Sequence, residues 1–524
     1  MCRQPVYHCA ESRFLILTVQ TWETIMNQRT LLGVVAVALT CGGLVRAEVQ
    51  PHVLFTDGCV LQRDVSVPVW GKAKYGEKVT VEFRGQKVET VADLNSHWMV
   101  HLKKMDAGGP FTMVIRGENT ITLTNVCVGE VWICSGQSNM EFGLWQADTG
   151  KAAVAAAGDV QLRLFHVPKA TNDLPQYAVT AAWQPCNSNT VAGFSAVGYF
   201  FGRDLRKALG VPVGLIESAW GGTYAEAWTD RDTLEKVLPQ AFERYADSIK
   251  NYDLEKVKEW YKKATAKHKE IAAKAQAEGK APPPAPRFPP DPRTAPNRPC
   301  VLFNAMLAPL QPFALRGAIW YQGESNAGHT KEYQTLFPAM IADWRKTWGL
   351  GDFPFLFVQI APYQFQPPEI REAQLIAWQK TKNTAMAVIT DLGNPTNIHP
   401  TAKEPVGQRL ALAARALAYG DKIEYAGPVF KKMKVKGDKA ILSFTHVGSG
   451  LVAKDGALKG FTIAAAASTN FVPAEATIVD DSVVVQNAAI KQPGAVRYGW
   501  ANIPDVNLFN KEGLPASPFR TDVE

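Results

Sequence analysis

From Glu48 to about Val128 the chain runs in short segments rich in β-branched and aromatic residues: VSVPVW, EKVTVEF, HWMVHL, FTMVIRG and TITLTNV, separated by Gly, Asp and Asn clusters. Short apolar runs bounded by turn residues predict strands, so 48–128 reads as an N-terminal all-β domain. From Gly129 to about Gly420 the texture changes. Apolar runs (EVWIC, VPVGLIES, LRGAIWY, FLFVQI, AMAVITD) alternate with helical stretches at 196–209, 331–347, 369–382 and 401–418. Strands that are apolar throughout, alternating with helices, predict an α/β domain over 129–420 built on a mainly parallel sheet with both faces covered. After Gly420 the helical signals stop, and MKVKG, AILSF, GFTIA, ATIVD and SVVVQ predict a C-terminal β-rich domain over 421–524. Periodicity does not say whether the two β-rich segments fold together as one discontinuous sandwich or stay separate.

Two stretches stand outside this pattern. Residues 253–280 are rich in helix formers and mixed charge, and nine prolines lie between Pro282 and Pro299. This predicts an exposed helix followed by an extended linker, a solvated insertion at 250–299 to which the sequence assigns no function. At the N-terminus, reading from Met26 gives a basic residue (Arg29), an apolar run at 31–39 and small residues ending Val45-Arg46-Ala47. That is the order of a secretory signal, so residues 1–47 are expected to be a signal peptide with a start assigned too early, and the protein to be exported, periplasmic or secreted. Cys41 opens a lipoprotein alternative, which Thr40 fits poorly.

Charge and cysteine content narrow the function classes. Lys plus Arg outnumber Asp plus Glu by 56 to 49, but residues 252–300 alone hold eleven basic and six acidic side chains. The excess therefore sits in the insertion, which weighs against a nucleic-acid partner. No run of 18 apolar residues occurs, so no membrane span is expected. Beyond residue 47 the cysteines are Cys59, Cys127, Cys134, Cys186 and Cys300; their spacing fits no zinc site, their odd number leaves at least one unpaired, and no metal or other cofactor is expected.

In open α/β sheets ligands bind beyond the carboxyl ends of the strands, and four predicted strand ends are chemically loaded. EVWIC leads into Ser135-Gly136-Gln137-Ser138-Asn139-Met140-Glu141, where a Ser on a strand-to-helix turn supplies both a nucleophile and its own N–H to an oxyanion. Ser138-x-x-Glu141 equally fits a capping box. VPVGLIES leads into Ala219-Trp220-Gly221-Gly222-Thr223, whose glycines allow close backbone approach or simply a turn. LRGAIWY leads into Gln322-Gly323-Glu324-Ser325-Asn326, amides and a carboxylate suited to an oxyanion or to a solvated loop. AMAVITD leads into Leu392-Gly393-Asn394-Pro395-Thr396-Asn397-Ile398-His399-Pro400, with Pro400 in the first helical position and His399 just outside as a general base. A lone His is commonly structural. Together, however, nucleophile, base and oxyanion donors at the strand ends of one domain are what acyl transfer requires.

The stretches LFTDGCVLQRD, GEVWICSGQSNMEF, VPVGLIESAWGGTYAEAW, LFNAMLAPLQPFALRGAIWYQGESNAG, TDLGNPTNIHPTAKEPVGQRLALAA and VRYGWANIPDVNLFNKEGLPASPFRTD resemble the sialate O-acetylesterase family of the SGNH (GDSL-like) hydrolases. The resemblance covers about 53–522 except the insertion. It implies a three-layer αβα catalytic domain, with Ser138 as nucleophile and His399 as base. It further implies Gly221 or Gly222 as backbone oxyanion donor and Gln322, or alternatively Asn326, as side-chain donor, with Glu324 orienting its neighbours. Where the wider superfamily often carries an Asp three residues before the His, this chain has Thr396. Either Asp391 or a backbone carbonyl then orients the imidazole. The implied substrate is an O-acetylated sialic acid of the 9-O-acetyl type; an acetylated xylan or other polysaccharide fits the motifs equally. Trp145, Trp220, Trp228 and Trp320 are candidates for stacking on sugar rings, or for core. For a sialate carboxylate, the sequence places no Arg or Lys at the pocket. A non-catalytic carbohydrate-binding protein would have lost the nucleophile or the base, and a thiol hydrolase would need Cys134, which lies within an apolar strand.

Overall fold

The structure, a computed structural model, describes residues 48–522 other than 281 and 284. The expected signal segment therefore lies outside the described residues. At the centre of the fold is an 11-stranded sheet whose main path runs Trp183–Pro185, Leu162–His166, Val213–Ala219, Thr120–Gly136, Gly317–Tyr321, Phe355–Val358, Thr384–Ala387. Adjacent strands along this path pair in parallel, apart from Trp183–Pro185, which runs antiparallel to Leu162–His166 at the edge. The residues explain the arrangement: Val131 to Cys134, Ala318 to Tyr321 and Phe355 to Val358 are all buried, as strands covered on both faces must be.

Two helix pairs pack on this sheet. Ala196–Leu209 lies on Glu404–Tyr419, and Thr330–Trp348 lies on Pro368–Lys380. Phe337 and Trp344 of the second pair stack edge-on against Phe355, with ring centroids 6.2 and 5.5 Å apart. The observed helices fall close to the expected ranges, but the last begins at Glu404 with a proline in its first turn, not at 401. Pro400 belongs to the preceding loop. Two short strands of the main path, Leu162–His166 and Trp183–Pro185, are not among the elements that the apolar pattern predicts.

The boundary expected at 128/129 is crossed by one long strand. The first part of Thr120–Gly136 pairs antiparallel with Gly108–Arg116, and its second part carries the parallel α/β strands. Glu130, fully buried in that strand, accepts from Gln62 Nε2 at 2.9 Å and Arg316 Nε at 2.8 Å, and is also bonded by Arg63. Removing one partner of such a buried ionic cluster costs about 3–5 kcal/mol, so the N-terminal strands are tied to the sheet. The C-terminal segment builds sheets of its own around a separate apolar cluster that includes Leu442, Ile463, Val483 and Val496. The two β-rich segments therefore do not merge into one sandwich. Arg520 fastens the last one to Glu372 of the α/β region by a paired hydrogen bond of 2.7 and 3.1 Å.

Candidate active site

Gly136 ends the central strand with φ 141°, and a β-carbon there would sit 2.2 Å from the Tyr321 carbonyl oxygen. Only glycine lets the chain turn so close to the neighbouring strand. The turn makes Gln137 the N-cap of a four-residue helix, Ser138–Glu141, and puts Ser138 in its first turn, where amides have no intrahelical acceptor. Ser138 does not act as a cap. Its Oγ lies 2.8 Å from His399 Nε2.

His399 comes from the loop between Thr384–Ala387 and Glu404–Tyr419, which is shaped by its own amides. Asn394 Oδ1 accepts from the Thr396 and Asn397 backbone N–H groups, both at 3.0 Å, and Asn397 Oδ1 accepts from the His399 N–H at 2.9 Å. Burial, then the positive charges of Lys403 and Arg287, hold the imidazole below its ordinary 6.5, with Glu141 opposing them. A base kept neutral is ready to take a proton. Among the described residues no hydrogen bond reaches its Nδ1. The carboxylate of Asp391, expected as a possible orienting acid, is taken by a bidentate ion pair with Arg409 at 2.7 Å to each oxygen. Among the described residues, Ser138 and His399 pair with no carboxylate on the imidazole.

A buried chain supports it from below. Glu324 Oε1 accepts from Asn139 Nδ2 at 2.6 Å, the same nitrogen reaches the Ile398 carbonyl at 3.0 Å, and Lys403 Nζ donates to Asn139 Oδ1 at 2.5 Å. Asn139 thus links Glu324 to the residue before His399. Lys403 is fully buried, over the faces of Phe142 and Tyr321 at 4.7 and 5.2 Å. Burial brings its ammonium down to about 7, against the pull of Glu324.

The site opens into a cleft of about 640 Å³ lined by Gln137, Ser138, Glu141, Lys169, Trp220, Gly221, Gly222, Arg287, Glu324 and His399, among others. Gly221 is required by closeness, since its β-carbon would meet Ser138 Cβ at 3.0 Å. Its N–H, however, donates to Glu141 Oε2 at 2.6 Å, and Glu141 Oε1 in turn accepts from Lys169 at 2.5 Å. The Gly222 N–H has no acceptor among the described residues.

The side-chain donor expected at Gln322 is corrected by the structure. Gln322 is fully buried behind the cleft, and its Nε2 is spent on Asn326 Oδ1 at 2.6 Å and the Thr223 carbonyl at 3.2 Å. The alternative, Asn326, is equally engaged, bonding the Ala225 N–H and Glu226. Two amide side chains do line the cleft, Gln137 and Gln146, and Gln137 is the one next to Ser138: its Oε1 accepts from the Gly323 and Ser325 N–H groups at 3.4 and 3.2 Å, and its Nε2 has no acceptor among the described residues. Gln137 stands in the motif beside Ser138, yet sequence reasoning does not single it out, nor Lys169, Arg287 or Lys403. Of the four tryptophans, Trp228 and Trp320 pack against each other in the core, Trp220 lines the cleft, and Trp145 is exposed. Cys134 is buried and its thiol is held well above its ordinary range by that burial, which leaves it no nucleophilic role.

A family model described as a sialic acid-specific acetylesterase, a carbohydrate esterase, matches residues 128–269 and 300–416, the segments that carry Ser138, Gln137 and His399. The mouse sialate O-acetylesterase is 34% identical over 88% of this chain and 92% of its own length; the human one is 30% identical over 88% and 90%. The chain belongs to the sialate O-acetylesterase family. A solved carbohydrate acetylesterase from Xanthomonas citri is 39% identical, covers 91% of this chain and all of its own, and superposes with a TM-score of 0.77. Membership of this family makes the protein an esterase, and the α/β architecture is that of a solved carbohydrate acetylesterase. The family match breaks off at 269 and resumes at 300, so the proline-rich part of the insertion, which carries Arg287 into the cleft, is outside it.

Proposed function

We propose that the protein removes O-acetyl groups, of the 9-O-acetyl type, from sialic acids through an acetyl-enzyme on Ser138. The observation that carries this reading is the 2.8 Å contact between Ser138 Oγ and His399 Nε2 at the floor of an open cleft. Oγ attacks the acetyl carbonyl carbon as its proton passes to Nε2. The tetrahedral oxyanion is met by the Ser138 and Gly222 N–H groups and by Gln137 Nε2. Its collapse breaks the bond to the sugar oxygen, which takes the proton from His399. Water then attacks the acetyl-enzyme, gives a proton to Nε2, and acetate departs as Ser138 Oγ recovers it.

Parallel pairing of the central strands and a nucleophile at the carboxyl end of the middle one support placing the domain with the three-layer SGNH hydrolases. Trp220 gives one wall of the cleft an aromatic surface, held under Lys169 at 5.7 Å, on which a sugar ring can stack. Acetate release from 9-O-acetylated sialic acid and from acetylated xylan, measured side by side, tests the substrate: faster release from the sialate supports it, and release from xylan alone reassigns the enzyme to neutral polysaccharides. Export as a mature chain beginning at Glu48 is part of the same reading, supported by the order of residues 26–47 and tested by N-terminal sequencing of the protein recovered outside the cytoplasm.

A further inference from the structure

The insertion at 250–299 carries the feature that the mechanism leaves unused. Its helix, Leu254–Ala277, has no fully buried residue, but Val257, Tyr261, Ala264, Thr265, His268 and Ala272 form a half-buried stripe at helical spacing. The proline-rich stretch beyond that helix is not a free tether. His268 Nε2 on the helix donates to the Pro283 carbonyl at 2.8 Å, and Phe288 packs edge-on against Tyr261 with centroids 5.2 Å apart. At the far end, Asn297 Nδ2 donates to the Gly222 carbonyl and its Oδ1 accepts from the Tyr224 N–H, both at 2.9 Å. The segment is thereby braced on its own helix and latched to the glycine loop of the catalytic site.

Between these fastenings lies Arg287, and it lines the catalytic cleft together with Ser138 and His399. Among the described residues it makes no hydrogen bond and no ion pair. The other cation at the mouth, Lys169, is already neutralised by Glu141 at 2.5 Å. An exposed guanidinium with five free donors at a pocket rim is the group best matched to a planar carboxylate. Its charge also reaches the catalytic imidazole, one of the causes that hold His399 low.

We propose that Arg287 is the anchor for the carboxylate of an acidic O-acetylated sugar, which makes the insertion a specificity wall of the active site. This rests on the sugar-acetylesterase reading above. It extends that reading to the part of the chain that the family match leaves out. Proline-rich chain suits the task, since restricted backbone lowers the entropy lost when the arginine is fixed on a ligand.

The test uses three substrates with the purified protein: 9-O-acetylated sialic acid, the methyl ester of its carboxyl group, and a neutral acetylated xylo-oligosaccharide. Wild type should prefer the free acid to its methyl ester by about tenfold or more in kcat/KM, with the difference mainly in KM. Arg287→Ala should abolish that preference, Arg287→Lys should keep part of it, and Arg287→Glu should reverse it. Two results would overturn the proposal: equal kcat/KM for acid and methyl ester in the wild type, or a preference that survives in Arg287→Ala. Acetate release from none of the three substrates by the wild type would overturn the sugar-esterase reading itself, and the carboxylate anchor with it.

Discussion

His399 Nε2 rests 2.8 Å from Ser138 Oγ across 261 residues of sequence, so the pair forms only because two strand ends of one sheet are brought together. Ser138 is delivered by the turn at Gly136, and His399 by a loop whose Asn394 and Asn397 side chains hold its backbone. Neither half needs a carboxylate on the imidazole to reach this geometry.

The first consequence concerns pH. A base must be neutral to accept the Ser138 proton, and burial with the Lys403 and Arg287 charges keeps His399 below 6.5. Activity should therefore fall on the acid side through an apparent pKa below 6.5, and be full at neutral pH. The profile of kcat/KM on a generic acetyl ester measures this. An acid limb centred above 6.5 would contradict it.

Lys403 should prove to tune the base from below. In the range where His399 titrates, an ammonium brought to about 7 is still mostly charged, so it opposes protonation of the imidazole. Lys403→Met keeps the stem over Phe142 and Tyr321 and removes that charge. The acid limb should then move to higher pH, towards 6.5. Urea unfolding should show a stability change within about 2 kcal/mol, because relief of the buried charge offsets the donor lost to Asn139. An unmoved acid limb would reduce Lys403 to a packing role.

Gln137 and Gln322 should separate cleanly. Gln137→Ala removes the side-chain amide beside Ser138 at the cleft, whose Nε2 has no acceptor among the described residues, and kcat should drop by about 10²-fold with the fold intact. Gln322→Ala leaves Tyr333, Asn326 and the Thr223 carbonyl short of partners in a buried network, and should cost about 1–3 kcal/mol of stability. Unfolding curves beside kcat for both variants decide it, and the reverse pattern would restore Gln322 as the donor.

Gly136→Ala should be among the most damaging single-methyl changes in the chain. The added carbon would meet a backbone oxygen at 2.2 Å in a φ that other residues rarely adopt. A loss of about 3 kcal/mol or more is expected, read from thermal or urea unfolding.

Much of the fold, and the meeting of Ser138 with His399, is legible in the sequence because it rests on local pattern. The apolar strands 130–134, 317–321 and 355–358 are recognisable since burial on both faces leaves no polar alternation, and the turn at Gly136 marks where the first ends. Ser138 and His399 follow from their places at strand ends. The proposed oxyanion amide does not, because Gln137 and Gln322 both flank strand ends and only the tertiary packing of Tyr333 and Asn326 shows which one is spent. Asp391 misleads for the same reason: its partner, Arg409, sits a helix away in sequence. Lys403 lies four residues after His399, a spacing that carries no signal for a loop. Arg287 has none at all, since a proline-rich stretch has no period by which to place a side chain.

The central claim is that Ser138 is the nucleophile of a two-residue site, and acetyl-enzyme trapping with a rapid quench tests it most directly. Wild type incubated with 9-O-acetylated sialic acid should gain a single acetyl group on the peptide that holds Ser138. Ser138→Ala should gain none and lose at least about 10³-fold in kcat/KM. Acetate release that persists in Ser138→Ala, or an acetyl group found on another residue, would contradict the account.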